Sequence, residues 1–136
     1  MTTAAAAAFA IAALTSCSSS NSTSTTGATI ERKWEIADAS GNSTKGSPDE
    51  AYITFDGKGG VSGCTGANTF NGSYSITPDG SIQFNDMIST RMAAGPYRET
   101  EAAVFRALDE AKAYKVDGNE ALILDASGRE IMRLRQ

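Results

Sequence analysis

The sequence predicts an α+β domain: a strongly curved antiparallel sheet or partial barrel of seven to eight short strands, with one amphipathic helix packed on it. Short runs in which apolar and polar residues alternate are typical of half-buried strands. Tight turns containing glycine separate most of these runs, which favours antiparallel neighbours over βαβ units. A single stretch near residue 100 changes to helical spacing. With 136 residues, the chain has room for one such domain.

The first half of the domain reads as consecutive strands. Trp34 and Ile36 share one face of the first, and the polar stretch 40–50 reads as a loop. Asp56-Gly57 is a strong hairpin signal, because glycine adopts the positive φ that such turns need. The turn Pro78-Asp79-Gly80 plays the same part later. Strands are predicted at 33–38, 52–55, 60–63, 70–77 and 81–84.

The second half contains the predicted helix, from Pro96 or Tyr97 to about Ala111. Proline is tolerated in a first turn, and Glu99 and Glu101 suit the positive end of a helix. Apolar side chains then recur at helical spacing. Three further strands are predicted at 114–116, 121–124 and 130–134.

The N-terminal segment predicts where in the cell the protein is located. Residues 4–14 form an apolar run that is too short to span a bilayer but suits the core of a signal peptide. Its end, Leu14-Thr15-Ser16-Cys17, resembles the bacterial lipobox, which implies that Cys17 is lipidated and becomes the mature N-terminus. The polar tract that follows has nothing to bury and reads as a flexible tether. We therefore predict a signal peptide over 1–16, a lipid-anchored tether over 17–30 and a domain over 31–136. Because Ser18 is not the aspartate that typically retains lipoproteins at the inner membrane, the expected location is the periplasmic face of the outer membrane.

The composition argues against several functions. A net charge of −4 argues against a nucleic-acid partner, since phosphates require a basic surface. The chain has no histidine, which removes every catalytic scheme and metal site built on that residue. The glycines of 57–66 lack the Walker spacing and a following helix, and Asp79, Asp117 and Asp125 stand beside turn glycines. We expect no catalytic residue, no cofactor and no metal.

The central stretch resembles the META domain of HslJ-type heat-shock lipoproteins. The matching positions run through a Trp-bearing strand, a glycine-rich turn with an asparagine, a Gly-x-Tyr strand, a Thr-x-Met-Ala element and a helix with a glutamate. They are Trp34, Phe55, Gly63, Gly66, Asn68, Gly72, Tyr74, Thr90, Met92, Ala93 and Glu101. The resemblance spans about 32–135 and implies that these residues shape the fold.

Four residues near these motifs carry separate expectations. Where the family typically has two cysteines, this chain has Ala67 and Ala94, which implies a lost disulfide and places the two residues within bridging distance. Cys64 occupies neither position; a buried structural thiol is favoured over a redox role or intermolecular pairing. Arg91 is predicted to form an ion pair with Glu99 or Glu101, and the alternative is that it marks a binding surface.

The resemblance and the predicted address together imply a function class. We expect a monomeric, lipid-anchored and non-enzymatic envelope protein that acts in stress tolerance or envelope maintenance by binding an envelope protein or peptide. The alternative is a pilotin- or chaperone-like module that holds an apolar peptide or lipid between sheet and helix. A filled core of Trp34, Phe55, Tyr74, Phe84, Val104 and Leu108 favours the first, and an open cleft lined by them favours the second.

Overall fold

The computed structural model describes residues 29–136. Within them one antiparallel sheet carries a single α-helix on one face, as the sequence predicts. The strands are β1 (Lys33–Ala39), β2 (Asn42–Ser43), β3 (Tyr52–Phe55), β4 (Gly60–Cys64), β5 (Thr69–Ile76), β6 (Ile82–Ser89), β7 (Ala113–Asp117), β8 (Glu120–Leu124) and β9 (Glu130–Arg135). A short 3-10 turn, Gly95–Tyr97, precedes the helix α1 (Arg98–Glu110).

The strand order is β6-β5-β4-β3-β1-β9-β8-β7, with the two-residue β2 paired to β1. The first strand therefore lies in the middle of the sheet and is paired with the last, Glu35 opposite Arg135. The sheet curves until its two edges touch at one point. There the Ile82 N–H donates to the Lys112 carbonyl at 3.1 Å and the Tyr114 N–H donates to the Gly80 carbonyl at 2.9 Å. Beyond that point β6 and β7 separate, so the sheet is a partial barrel that does not close.

The core fills the concave side of the sheet, because apolar side chains alternate into it from nearly every strand. Trp34 and Ile36 of β1 are fully buried, as their shared face predicts. The helix covers the open side through its small and aliphatic residues Ala103, Val104, Ala107 and Leu108. Short side chains at 103 and 107 allow the helix axis to approach the sheet closely.

Two elements differ from the prediction. The stretch predicted as a loop contains β2, which is only two residues long. The strand predicted to end at Phe84 continues to Ser89, through Asp86 at a φ of +53°. The pairing with β5 shifts register between Asn71 and Ser73, which is a β-bulge. The bulge interrupts the alternation of apolar and polar residues, which is why the sequence pattern did not indicate the second half of β6.

Candidate functional site

The side-chain amide of Asn68 joins three parts of the fold. Asn68 lies in the loop between β4 and β5 and is buried. Its Nδ2 donates to the Met92 carbonyl at 3.0 Å and to the Glu101 carboxylate. Its Oδ1 accepts from the Thr90 hydroxyl at 3.0 Å and from the Met92 N–H at 2.7 Å. All four hydrogen-bonding positions of the Asn68 side-chain amide, two donors and two acceptors, are therefore occupied. This one side chain connects the β4–β5 loop, the segment after β6 and the helix.

Thr65 and Tyr97 support this amide, and sequence reasoning missed both roles. The Asn68 N–H donates to Thr65 Oγ1 at 3.0 Å, and that oxygen lies 3.2 Å from Glu101 Oε1. The Tyr97 hydroxyl donates to the Thr65 carbonyl at 2.6 Å. Burial raises the pKa of the Tyr97 hydroxyl. The sequence indicates Tyr97 only as a possible first residue of the helix, and nothing in the local sequence indicates Thr65.

The motif glycines are positions of close approach. Gly66 has a φ of +100°, and a Cβ there would lie 2.6 Å from Ser47 Cβ and 2.7 Å from the Tyr97 hydroxyl. In β4, a Cβ on Gly63 would lie 2.7 Å from the Phe70 ring. In β5, a Cβ on Gly72 would lie 2.8 Å from the Asn85 carbonyl beside the bulge. A side chain would collide at each position, so these glycines allow the close packing of backbone and side chains around them.

Trp34 and Tyr74 are also structural. The Trp34 indole N–H donates to the Ile30 carbonyl at 2.9 Å, which fixes the entry of the chain into β1. The Tyr74 hydroxyl donates to Glu31 at 3.2 Å and accepts from the Gly57 N–H at 3.2 Å. Burial, followed by the negative charge of Glu31, raises the pKa of Tyr74.

The predicted ion pair of Arg91 is absent. No salt bridge within residues 29–136 involves Arg91, and its side chain is exposed. Glu101 is turned toward Asn68 and Thr65. Two hydrogen bonds from neutral partners hold Glu101 Oε1 at this amide, so the carboxylate is directed away from an ion pair with Arg91. The alternative, that Arg91 marks a binding surface, is left open by this geometry.

A groove of about 530 Å³ runs between β6 and α1. Its apolar lining comes from Phe84, Met87, Ile88, Met92, Phe105 and Leu108, and its charged residues are Arg91, Arg98, Glu101 and Asp109. Ile88 and Met92 are the exposed large hydrophobic residues of the described chain, at 65% and 64% exposure. An apolar groove with exposed apolar residues at its mouth is typical of a binding site for an apolar group.

The groove does not open the core. Five of the six residues expected either to fill the core or to line a cleft are buried: Trp34, Phe55, Tyr74, Val104 and Leu108. Phe55 packs edge-on against Tyr74, with ring centroids 5.0 Å apart. Phe84 is half-buried and lines the groove together with Leu108. The interior is therefore filled, and the apolar cleft is confined to one margin of the sheet.

Cys64 is a buried free thiol, which agrees with the structural interpretation. Its sulfur accepts from the Gly66 N–H at 3.3 Å, within the tight turn that leads to Asn68. Cys17, the predicted lipidation site, lies outside the described residues. Across 29–136, no three Cys, Asp or Glu side chains are grouped so as to hold a metal ion.

A comparison with models of known protein families identifies the family to which these motif residues belong. The family model of the META domain matches residues 27–136, which include every motif residue described above. The chain belongs to the META domain family. The resemblance found in the motif residues is thereby confirmed, and the amide of Asn68 with its partners at 90, 92 and 101 is the feature that connects the family positions in this member.

Solved structures share the META fold of this chain. One, described only as the NMR structure of a protein, has a TM-score of 0.61 at 19% identity, covering 77% of this chain and 88% of the other. An NMR structure of a protein from Burkholderia xenovorans gives 0.59 at 19% identity, covering 77% and 81%. A crystal structure of a DUF4847 family protein from Bacteroides vulgatus gives 0.59 at 16% identity, covering 77% and 92%. At these identities the likeness concerns the fold. Curated proteins gave no sequence match to this chain.

Proposed function

We propose that this META domain protein is a lipid-anchored, non-enzymatic protein of the bacterial cell envelope that acts by binding through its surface. The observation that carries the proposal is the apolar groove between β6 and α1, at whose mouth Ile88 and Met92 are exposed. Its biological role is stress tolerance or envelope maintenance, which the resemblance to HslJ-type lipoproteins implies.

The lipid anchor rests on the sequence around Cys17. An apolar run over 4–14, a lipobox-like Leu14-Thr15-Ser16-Cys17 and a polar tract together supply a leader, an attachment site and a tether. In the described residues, neither helical segment has the length and apolarity needed to cross a bilayer. Anchoring by acyl chains at Cys17 would hold the domain at a membrane, since each buried methylene contributes about 0.8 kcal/mol.

The groove also supports the pilotin- or chaperone-like alternative in a restricted form. A ligand held in it would contact Phe84, Met87 and Phe105 at the margin of the sheet. It would not insert among Trp34 and Phe55, because these two residues are already packed in a filled core. The binding partner is therefore a slender apolar group that lies along β6.

Localisation is tested by changing Cys17 to Ala in the full chain. The wild-type protein is expected in the membrane fraction, with an acyl-modified cysteine detected by mass spectrometry and with processing that globomycin blocks. The Cys17→Ala protein is expected to lose both properties. An unchanged product would overturn the anchor.

The binding function is tested by complementation of a deletion strain exposed to heat and to envelope-damaging agents. The double variant Ile88→Asn/Met92→Gln removes the exposed apolar residues without disturbing the core. Ala126→Gln is the control, because it changes an exposed residue on the turn between β8 and β9, away from the groove. We expect wild type and Ala126→Gln to restore survival and the double variant to fail at equal protein level. Restoration by the double variant would contradict a role for the groove.

A further inference from the structure

The groove follows the free edge of β6. Met87, Ile88 and Ser89 are consecutive residues of β6, and all three line it. Because successive side chains of a strand point to opposite faces, three consecutive residues line one cavity only when that cavity lies along the edge of the strand. Within residues 29–136, β6 ends the strand order, and from Gln83 onward it is paired only with β5. The groove is thus the space beside an edge strand, with α1 as its far wall.

Backbone groups of β6 are directed into this space. The Thr90 N–H donates to the Thr69 carbonyl at 3.0 Å, toward β5. Backbone direction alternates along a strand, so the N–H and carbonyl groups of Ser89 and Met87 point the other way, into the groove. Such an edge is a template on which an extended segment can add as a further strand.

The bulge limits which part of the edge is usable. Asp86 has a φ of +53° and interrupts the regular pairing of β6 with β5. A bulge on an edge strand opposes indiscriminate pairing with other chains. Past the bulge, Ile88 and Ser89 pair regularly with β5, and Met87 and Ile88 supply apolar side chains, so this is the portion that suits a specific partner.

The two ends of the groove carry different charged side chains. Asp109, on the last turn of α1, lines one end. At the other end Asn68 links Met92 to Glu101. Arg91 and Arg98 line the groove at this second end, and neither forms a salt bridge within residues 29–136. The groove is accordingly open along its side, with Asp109 at one end. At the other end lie two guanidinium groups without a salt bridge and the Glu101 carboxylate, which Asn68 and Thr65 already engage.

We infer that the groove binds the extended, apolar C-terminal segment of another polypeptide as a strand parallel to β6, with its terminal carboxylate at Arg91 and Arg98. A parallel segment runs from the Asp109 end to the arginine end, so its terminus meets the positive charges. A chain end fits better than an internal segment, since its terminal carboxylate supplies the negative charge that the guanidinium groups of Arg91 and Arg98 can bind. This inference rests on the proposed function, because it names the class of partner that the groove takes.

Binding is tested with a fluorescein-labelled peptide, Ser-Val-Thr-Val-Thr-Phe, in two forms that differ only in having a free C-terminal carboxylate or an amide. The full chain isolated from cells is titrated with each, and anisotropy is measured. The carboxylate form is expected to bind at least about tenfold more tightly, since hydrogen bonds to a charged group contribute about 1.5–3 kcal/mol. Arg91→Gln/Arg98→Gln should remove this difference, and Arg106→Gln, an exposed helix residue outside the groove lining, should preserve it.

Strand addition is tested by amide hydrogen exchange on the same protein. Saturation with the carboxylate peptide should slow exchange of the Met87 and Ser89 N–H groups, whereas the Thr90 N–H, already bonded to Thr69, should change little. Equal affinity for both peptide forms, or peptide binding without this protection, would overturn the inference. So would failure of the peptide to bind while the fluorescent fatty acid cis-parinaric acid does, because the groove would then be a lipid site. In that last case loss of survival in the Ile88→Asn/Met92→Gln strain would still support the proposed function.

Discussion

The side-chain amide of Asn68 pairs with the main chain of Met92 in both directions, donating from Nδ2 to its carbonyl at 3.0 Å and accepting at Oδ1 from its N–H at 2.7 Å. This is the pattern by which one strand residue pairs with another, made here by a side chain. It continues the attachment between the β4–β5 loop and the segment beyond β6, where backbone pairing has ended. The charged end of the groove is held in place by this contact.

Replacing Asn68 by Ala should lower the free energy of unfolding by about 3 kcal/mol, because it leaves Glu101 and the Met92 backbone without buried partners. Urea denaturation followed by circular dichroism gives this value. Asn71→Ala is the control, since Asn71 is exposed on β5 and its loss should cost no more than about 0.5 kcal/mol. Equal effects of the two substitutions would show that the amide is not a structural centre.

Replacing Gly66 by Ala should destabilise the domain by about 2 kcal/mol or more, because the new Cβ is both strained at a φ of +100° and in collision with Ser47 and Tyr97. Gly118→Ala separates the two causes. Gly118 also has a positive φ, of +58°, but no atom lies within 4 Å of its added Cβ, so only the backbone cost of about 1 kcal/mol applies. The difference in urea midpoint measures the collision, and identical midpoints would contradict the packing at Gly66.

Installing cysteines at 67 and 94 should restore the disulfide that the family resemblance implies. The two positions flank the Asn68–Met92 contact in sequence, and a bridge across 27 residues should stabilise the domain by about 3 kcal/mol in the chain-entropy model. Thermal unfolding of Ala67→Cys/Ala94→Cys, with and without dithiothreitol, measures the effect. The single variant Ala67→Cys is the control. If no bridge forms under oxidising conditions, the two positions are farther apart than the expected limit of about 7 Å between Cα atoms.

Stability should fall as the pH rises above about 10, the usual pKa of tyrosine. The pKa values of Tyr74 and Tyr97 are raised, first by burial in both cases. Between the unfolded and folded pKa values the folded state holds more protons, so the free energy of unfolding decreases with increasing pH and is undiminished below the unfolded pKa. Urea titrations from pH 9 to pH 12 should show a shallower decline for Tyr97→Phe than for wild type, although that variant is less stable at pH 7 because it loses the bond to Thr65. A parallel decline would exclude Tyr97 as a cause.

The sequence was sufficient for the elements whose signals are local. The alternation of apolar and polar residues predicted that Trp34 and Ile36 share one face of β1. The change to helical spacing predicted both ends of α1 to within about two residues of their observed positions. It was insufficient where contacts between distant segments decide the structure. The second half of β6 was not predicted because of the bulge at Asp86. A residue at positive φ interrupts the alternation of apolar and polar side chains, which has a period of two in a strand.

The candidate site was predictable only in part. The family resemblance supplied Asn68, Thr90, Met92 and Glu101, but no sequence pattern indicates that all converge on one amide. The prediction for Arg91 was wrong for the same reason, because proximity in sequence to Glu99 and Glu101 does not reveal that Glu101 is engaged by Asn68 and Thr65. The groove arises from the divergence of β6 and β7, which is a property of the sheet and not of any one segment.

The position of β1 in the middle of the sheet determines at what stage of folding the sheet can be completed. Its partner β9 lies far along the chain, and Glu35 must find Arg135 across almost the whole domain. Closing so long a loop is slow compared with forming a hairpin, and β1 lacks its pairing with β9 until it happens. A chain in which β9 has not yet paired holds an unfinished sheet with an exposed edge at its middle, so we expect the domain to gain its stability in one late and cooperative step.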